Sequence, residues 1–311
     1  MLTIAVSSRS LFHLEDGNDV FTSQGQDAFN AYMRDKENVP LRPGVAFPLV
    51  RKLLSLNTPG VARDRVDVVL LSRNSPDAGM RVMNSIAHYK LDIERAVFCQ
   101  GDDRFRYAKG LGAHLFLSAS PGDVRTAIEH GIAAATMLPK ETTDDTEDMT
   151  VRIAFDGDSV LFSSEADECY RMNGLDAFRQ SEAANALVPL GEGPFKNFLA
   201  ALYEVQQQFP IGGSPLKVAL VTARGMPSHA RVIHTLRHWG IHIHEAIFAG
   251  GLPKGPLLKA YGADVFFDDT QKNIDSALSY NVASGHVPFG HGAGIVGIDA
   301  ALPSAISPVS A

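Results

Sequence analysis

The chain is poor in the features that would tie it to a disulfide scaffold, a membrane or a nucleic acid. Its two cysteines, Cys99 and Cys169, are too few for a disulfide framework and have no CxxC spacing, so a reducing cytoplasm is the expected compartment. No apolar run reaches the roughly 20 residues of a membrane-spanning helix. The first residues, Met1-Leu-Thr-Ile-Ala-Val6, have no basic segment ahead of a long apolar stretch, so no signal peptide is expected. Positive charge is in the minority: 28 Lys and Arg face 35 Asp and Glu, a net charge of −7. That balance argues against a nucleic-acid backbone as the partner. It leaves room for a small phosphate ligand, which needs only a local pocket. Hydrophobic residues at 45% and charged residues at 20% over 311 positions suit a soluble globular protein of about two domains.

What is present centres on Val151-Arg-Ile-Ala-Phe-Asp-Gly-Asp-Ser-Val-Leu-Phe162. Apolar and β-prone residues lead into Asp156-Gly157-Asp158, which reads as a buried strand with two carboxylates at its end. Gly157 lets the backbone turn where a side chain would crowd a ligand. Two acids at the mouth of a buried strand repel each other unless a cation or a proton shares the site. With a divalent cation bound, one carboxylate can act as nucleophile and the other as proton carrier. The plainer alternative is that the pair opens a turn or caps a helix.

The chain also repeats itself. At an offset of 149, Ile4-Ala5-Val6 matches Ile153-Ala154-Phe155, and Gly25-Gln26-Asp27-Ala28-Phe29 matches Gly174-Leu175-Asp176-Ala177-Phe178. Val39-Pro40-Leu41 matches Val188-Pro189-Leu190. The offset then becomes 150, with Arg81-Val82 on Arg231-Val232, Phe98 on Phe248, and Gly112-Ala113 on Gly262-Ala263. So constant a spacing implies two related halves. In each, strands alternate with helices, ending on a strand at His114–Leu117 or Asp264–Phe267. This pattern predicts Rossmann-like α/β halves with parallel sheets covered by helices on both faces. The acidic stretch Glu141-Thr-Thr-Asp-Asp-Thr-Glu-Asp148 reads as a linker. The expected division is 1–140, a linker at 141–150, a second half at 151–290, and a loose tail at 291–311 rich in Gly, Ala, Ser and Pro.

Ligands of parallel sheets bind at the carboxyl ends of the strands. In the second half those ends carry Asp156 and Asp158, then Thr222-Ala223-Arg224, then Gly250 to Pro256 with Lys254, then Asp268-Asp269. Converged, they suit a magnesium ion held by carboxylates and a phosphate held by Thr222, Lys254 and free amides. The first half has Ser7, Arg9, Ser72, Arg104, Ser118 and Ala119 at the positions of Asp156, Asp158, Thr222, Lys254, Asp268 and Asp269. The acids vanish together while the fold pattern persists. The second half is therefore read as catalytic, and the first as a scaffold, part of the pocket wall or an effector site.

Asp156-x-Asp158, Thr222, Lys254 and Asp268-Asp269 resemble the four motifs of haloacid-dehalogenase-like phosphatases. Ile4 to Phe12, Ala154 to Ser163, Val221-Thr-Ala-Arg224, Pro253-Lys-Gly-Pro256, Phe266-Phe-Asp-Asp269 and His286-Val-Pro-Phe-Gly290 resemble the cytosolic type I 5′-nucleotidases, over about residues 2 to 290. The resemblance implies that Asp156 attacks the phosphorus of a nucleoside 5′-monophosphate and that Asp158 protonates the leaving oxygen. It implies Mg²⁺ on Asp156, the backbone carbonyl of Asp158, and one or both of Asp268 and Asp269. Thr222, Ala223, Arg224 and Lys254 are the expected substrate contacts, Arg224 having helix capping as its alternative. Relatives carry a small cap between the first two motifs, here about 163–213. Phe162, Phe178 and Phe195 are candidates to stack on a base, against plain core packing. Lys196 is a candidate substrate contact, against a solvated surface lysine. His234, His238, His242 and His244 lack a carboxylate or Cys at zinc-ligand spacing. A sugar phosphatase and a nucleotide-binding regulator without turnover are the rival functions, and a homo-oligomer is compatible with a sequence that fixes no stoichiometry.

Overall fold

Both halves of the repeat form strands and helices at matching positions. The computed structural model describes residues 1–61, 63–138 and 148–289. The tail expected at 291–311 and most of the linker expected at 141–150 lie outside the described residues. The first half runs β1 (Leu2–Val6), α1 (Ser8–Leu11), α2 (Glu15–Asp35), α3 (Phe47–Leu54), β2 (Val66–Ser72) and α4 (Pro76–His88). It continues with β3 (Arg95–Phe98), α5 (Phe105–Ala108), β4 (Leu115–Ser118), α6 (Pro121–Glu129) and β5 (Ala133–Met137). The second half runs β6 (Val151–Phe155), a wide turn over Gly157–Leu161, α7 (Glu165–Ala184), α8 (Lys196–Gln206), β7 (Leu216–Thr222) and α9 (His229–His238). It continues with β8 (Glu245–Phe248), α10 (Gly255–Tyr261), β9 (Val265–Asp268), α11 (Gln271–Ser279) and β10 (Ser284–His286).

The local chemistry explains these elements. Leu2, Ile4 and Val6 face one core and Ala5 the other, so β1 is apolar on both faces, as a central strand of a parallel sheet must be. Ser75 caps α4 by accepting the Ala78 N–H at 3.2 Å, with Pro76 in the first turn, where a missing N–H costs nothing. Both α2 and α7 bend at the matched glycines Gly25 and Gly174, whose φ values of 85° and 81° are outside helical geometry.

The parallel strands and flanking helices expected of each half are present, with a further strand after the fourth that was expected to close it. Among the described residues, ten strands form one sheet in the order β3-β2-β1-β4-β5-β10-β9-β6-β7-β8. Each half has a fifth strand, and these two meet antiparallel, Gly285 opposite Met137 and His286 opposite Thr136. Every other pair is parallel. Joining β5 to β10 satisfies two edges that would otherwise expose unpaired N–H and C=O groups. The junction needs glycine at 285, because a Cβ there would lie 2.7 Å from the Phe267 ring and 2.9 Å from Ala135 Cβ.

The antiparallel junction has a functional consequence. The carboxyl ends of β1 to β4 open on one edge of the sheet and those of β6 to β9 on the opposite edge. Arg9 and Arg104 therefore lie away from the acids of the second half, and the first half does not offer them as a wall of that site. On one face of the sheet a continuous core joins both halves, from Leu2 and Ile4 through Ile153 and Phe155 to Phe267. Helix α3 packs on β6 and α8 on β1. The opposite face carries two smaller cores, one under α5 and α6 and one under α10 and α11.

Candidate active site

The strand ends of the second half do meet. Strand β6 is flanked by β7 and β9, so Asp156, Thr222 and Asp268 emerge side by side. Lys254 precedes α10 and reaches in from the side. Its Nζ lies 2.8 Å from Asp156 Oδ1 and 2.7 Å from Asp268 Oδ2. Asp156 Oδ1 also accepts the Gly157 N–H at 2.6 Å, which leaves Oδ2 for other chemistry. Behind this oxygen pair, Phe155, Phe195, Phe198 and Phe267 pack ring on ring and exclude water from the base of the site.

Each acid has a different environment. Asp268 is fully buried and saturated: it accepts from Lys254 Nζ, from the Thr270 N–H at 2.8 Å and from Asn273 Nδ2 at 3.0 Å. Asp269 is less engaged, its Oδ1 accepting from Thr270 Oγ1 at 3.4 Å. Burial, then Asp268 and Asp167, push its carboxyl up to about 8. Burial also holds Asp156 well above the usual carboxylate range, although Lys254 opposes it. Burial disfavours the Lys254 ammonium, but Asp156 and Asp268 outweigh it and its pKa is raised. Three buried carboxyls beside one lysine therefore cannot all ionise unless a further cation shares the site. Carboxylate oxygens of Asp156, Asp268 and Asp269 all lie within 4.8 Å of one another. Hard oxygen donors, buried acids that a further cation would hold ionised, and the lone pairs of Asp269 together fit a magnesium-like divalent cation.

The turn after Asp156 is strained. Ser159 sits at φ 62°, a left-handed conformation unusual outside glycine. Its Oγ donates to Asp167 Oδ2 at 2.9 Å, which ties the turn to α7. The sister residue Ser10 instead lies in the short regular helix α1. Glycine at 157 spares Phe162 and Thr222, which a Cβ would meet at 3.3 and 3.4 Å. Those neighbours are protein atoms, so a side chain here would press first on the protein's own packing, which would have to give by a few tenths of an ångström.

Asp158 is held bidentately by Arg224, Nε to Oδ2 at 2.8 Å and Nη2 to Oδ1 at 2.7 Å. Arg224 is 4% exposed and its Nη1 donates to Glu182 Oε2. Its guanidinium is thus engaged by two carboxylates rather than free for a phosphate or a helix end. Thr222 is buried beside Gly157, and its Oγ1 accepts the Arg224 N–H at 3.2 Å. Ala223 is exposed between these two buried residues.

Of the aromatic candidates, Phe162 and Phe195 are fully buried, Phe162 against Trp239, and both belong to the core. Phe178 is half-buried on α7 with the Arg224 guanidinium 5.5 Å from its ring. Lys196 pairs with Glu192 at 2.9 Å on the helix surface. Sequence reasoning missed Asp167, Glu182 and Asn273, and had His286 only as part of a segment. His286 donates from Nε2 to the Asp269 carbonyl at 3.0 Å. The signal for Glu182 was available: its sister position carries Met33, so it differs between the halves just as the strand-end acids do.

The first-half counterpart is neutralised internally. Arg104 Nη2 lies 2.5 Å from Asp123, and Ser118 Oγ donates to the same carboxylate at 3.2 Å.

A model of the 5′-nucleotidase family matches residues 1–293. Human cytosolic 5′-nucleotidase 1B is 38% identical over 287 residues, covering 89% of this chain and 47% of that protein. The chain thus spans about half the length of the curated relative it matches. No solved structure matches it. Among the described residues no helix is long and apolar enough to cross a membrane. With the family model matching nearly end to end and the motif acids gathered at one sheet edge, the chain belongs to the 5′-nucleotidase family.

Proposed function

We propose that the chain hydrolyses nucleoside 5′-monophosphates to nucleoside and inorganic phosphate, through an aspartyl-phosphate on Asp156 and with Mg²⁺ as cofactor. The observation that carries this reading is the joining of Asp156, Lys254 and Asp268 by direct bonds, with Asp269 adjacent, at the carboxyl ends of β6 and β9. Family membership and the name of the human relative supply the substrate class. That name also supports a cytoplasmic location.

In the first step Asp156 Oδ2 attacks phosphorus. The bond from phosphorus to the 5′ oxygen breaks, the electron pair leaves on that oxygen, and Asp158 gives it a proton. In the second step water attacks the aspartyl-phosphate, Asp158 takes the water's proton, and phosphate departs with Asp156 restored as a carboxylate. Lys254 and Thr222 hold phosphoryl oxygens where negative charge develops. Mg²⁺, bound by the Asp156 and Asp269 carboxylates and the Asp158 carbonyl, would supply further charge neutralisation. Asp268 acts from behind, since its hydrogen bonds to Lys254, Thr270 and Asn273 are already made.

The test is phosphate release from a panel of nucleoside and sugar monophosphates, with Mg²⁺ or with chelator, by the wild type and Asp156→Asn. The expected result is base-dependent, chelator-sensitive turnover that the variant loses. Turnover indifferent to the base would refute the substrate, and an active Asp156→Asn would refute the nucleophile.

A further inference from the structure

A chain of buried charges runs from the catalytic turn into α7. Asp158 is gripped by Arg224, Arg224 by Glu182, and Glu182 Oε1 accepts from Arg231 Nη1 at 2.8 Å. Arg231 closes the chain on Glu165 at 2.7 Å, at the start of the same helix. Glu182 is 2% exposed. A carboxylate that deeply buried is costly unless fully paired, and here both its oxygens are.

The repeat shows which links are architectural. Arg231 Nε donates to the Val188 carbonyl at 2.8 Å, and the sister Arg81 Nε donates to the Val39 carbonyl at 3.0 Å. That link survives in both halves and fastens the loop after α2 or α7. The inner links do not survive. At the positions of Asp158, Arg224 and Glu182 the first half has Arg9, Asn74 and Met33. Met33 fits there with its Sδ 3.9 Å from Arg81 Nη1. The sister half thus builds the same fold without a carboxylate here, and Glu182 and Arg224 are absent together with the carboxylate they serve.

We infer that Glu182 is a positioning residue: it pins the outer end of Arg224, and Arg224 in turn orients the Asp158 carboxylate. Arg224 Nη1 faces Glu182, while Nε and Nη2 face Asp158, so fixing one end of a planar guanidinium fixes the other. Because Glu182 sits on α7, the seating of that helix over the site is coupled to the placement of the proton carrier. Asp167 ties the other end of α7 to the same turn through Ser159. The inference rests on the proposed role of Asp158 in proton transfer.

The test uses two esters that differ in their need for a proton. An alkyl phosphate, such as a nucleoside 5′-monophosphate, leaves as an alkoxide and needs the proton; p-nitrophenyl phosphate leaves without it. The value of kcat/KM reports the steps up to departure of the alcohol. For Glu182→Gln the alkyl-to-aryl ratio of kcat/KM is expected to fall about 100-fold, the cost of a misplaced catalytic group. Glu182→Met, the residue of the sister half, is expected to show the same fall; because it strands Arg224, Glu182→Gln, which keeps an acceptor for the arginines, is the variant that guards against loss of folding. Glu182→Asp is expected to regain at least about tenfold. In an Asp158→Asn background, Glu182→Gln is expected to change the ratio no further, since both act on one step. An equal loss on both esters, or an unchanged ratio in Glu182→Gln and Glu182→Met, overturns the inference. If the wild type hydrolyses glycerol phosphates as readily as nucleotides, the proposed substrate fails, and the same ratio is read on the glycerol ester.

Discussion

The ammonium of Lys254 lies 2.8 Å from Oδ1 of Asp156, and both groups are buried at the end of β6. The same ammonium lies 2.7 Å from Asp268 Oδ2, so one cation separates two carboxylates that would otherwise share a dry site. At contact range, repulsion between two buried carboxylates is large enough to force a proton onto one of them.

Lys254→Met should therefore damage both stability and chemistry. Removing one partner from a buried ion network costs about 3 to 5 kcal/mol, because the remaining charges stay desolvated. Chemical denaturation in the presence of chelator should show that loss. Phosphate release should drop by at least about 100-fold, the usual effect of losing one charge-stabilising group. Lys254→Arg is the informative partner variant: it keeps the charge, as Arg104 does in the sister half, but not the compact ammonium. Its stability should exceed that of Lys254→Met while turnover remains low. Wild-type turnover in either variant would remove Lys254 from the chemistry.

How far the sequence led is clearest from individual residues. Asp156, Lys254 and Asp268 were legible because each follows an apolar strand or a glycine loop at a fixed place in the repeat, and their sisters Ser7, Arg104 and Ser118 provided the contrast. Strand β10 was not legible. Ser284-Gly285-His286 has no β-branched or large apolar residue, and its strand geometry comes from neighbours on both sides. Strand β5, Ala133-Ala-Ala-Thr-Met137, is scarcely richer, with three alanines and a single β-branched residue, Thr136. Missing both strands hid the antiparallel junction, and with it the fact that the two sets of strand ends face opposite edges. Arg224 was read as a phosphate ligand or a helix cap, because nothing local to it points to Asp158, 66 residues earlier. A salt link between distant loops leaves no periodic trace.

The halves should unfold together. Lys52 on α3 donates to Asp264 Oδ1 at 2.7 Å and to the Thr150 carbonyl at 3.1 Å, while Asp264 Oδ2 accepts the Arg152 N–H at 2.7 Å. One buried lysine of the first half thus anchors the entry to β6 and β9. Lys52→Met should cost about 3 kcal/mol by stranding Asp264. Urea denaturation followed by both fluorescence and far-ultraviolet dichroism should still give one coincident transition, shifted to lower urea. Two separated transitions in the wild type would show that the continuous core does not couple the halves.

Two histidines that continue the sheet ladder should contribute less to stability on mild acidification. His114 donates its N–H to the Thr3 carbonyl at 2.9 Å and accepts the Thr3 N–H on Nδ1 at 3.1 Å. His244 repeats the device on Val218, with bonds of 3.0 and 3.4 Å. An Nδ1 that accepts must be unprotonated. Burial holds both rings below the ordinary histidine value of 6.5, helped by the N-terminal amine for His114 and by Lys217 for His244. The unfolded chain therefore binds these protons first. Their contribution is complete above the unfolded value and is lost as pH falls through the folded one. Asp156 and Asp269, whose raised values favour proton uptake by the folded chain, act in the opposite sense, so the histidine contribution is read as a loss of melting temperature between about pH 7 and pH 5 relative to a variant without these histidines. His114→Asn keeps an acceptor near Nδ1, much as Asp264 accepts the Arg152 N–H at the sister position, but it cannot titrate. The double variant with His244→Asn should remove that acid-dependent loss, so that its melting temperature exceeds the wild type's at about pH 5 while staying close to it near pH 7. The same pH dependence in the double variant would assign the acid sensitivity to other groups.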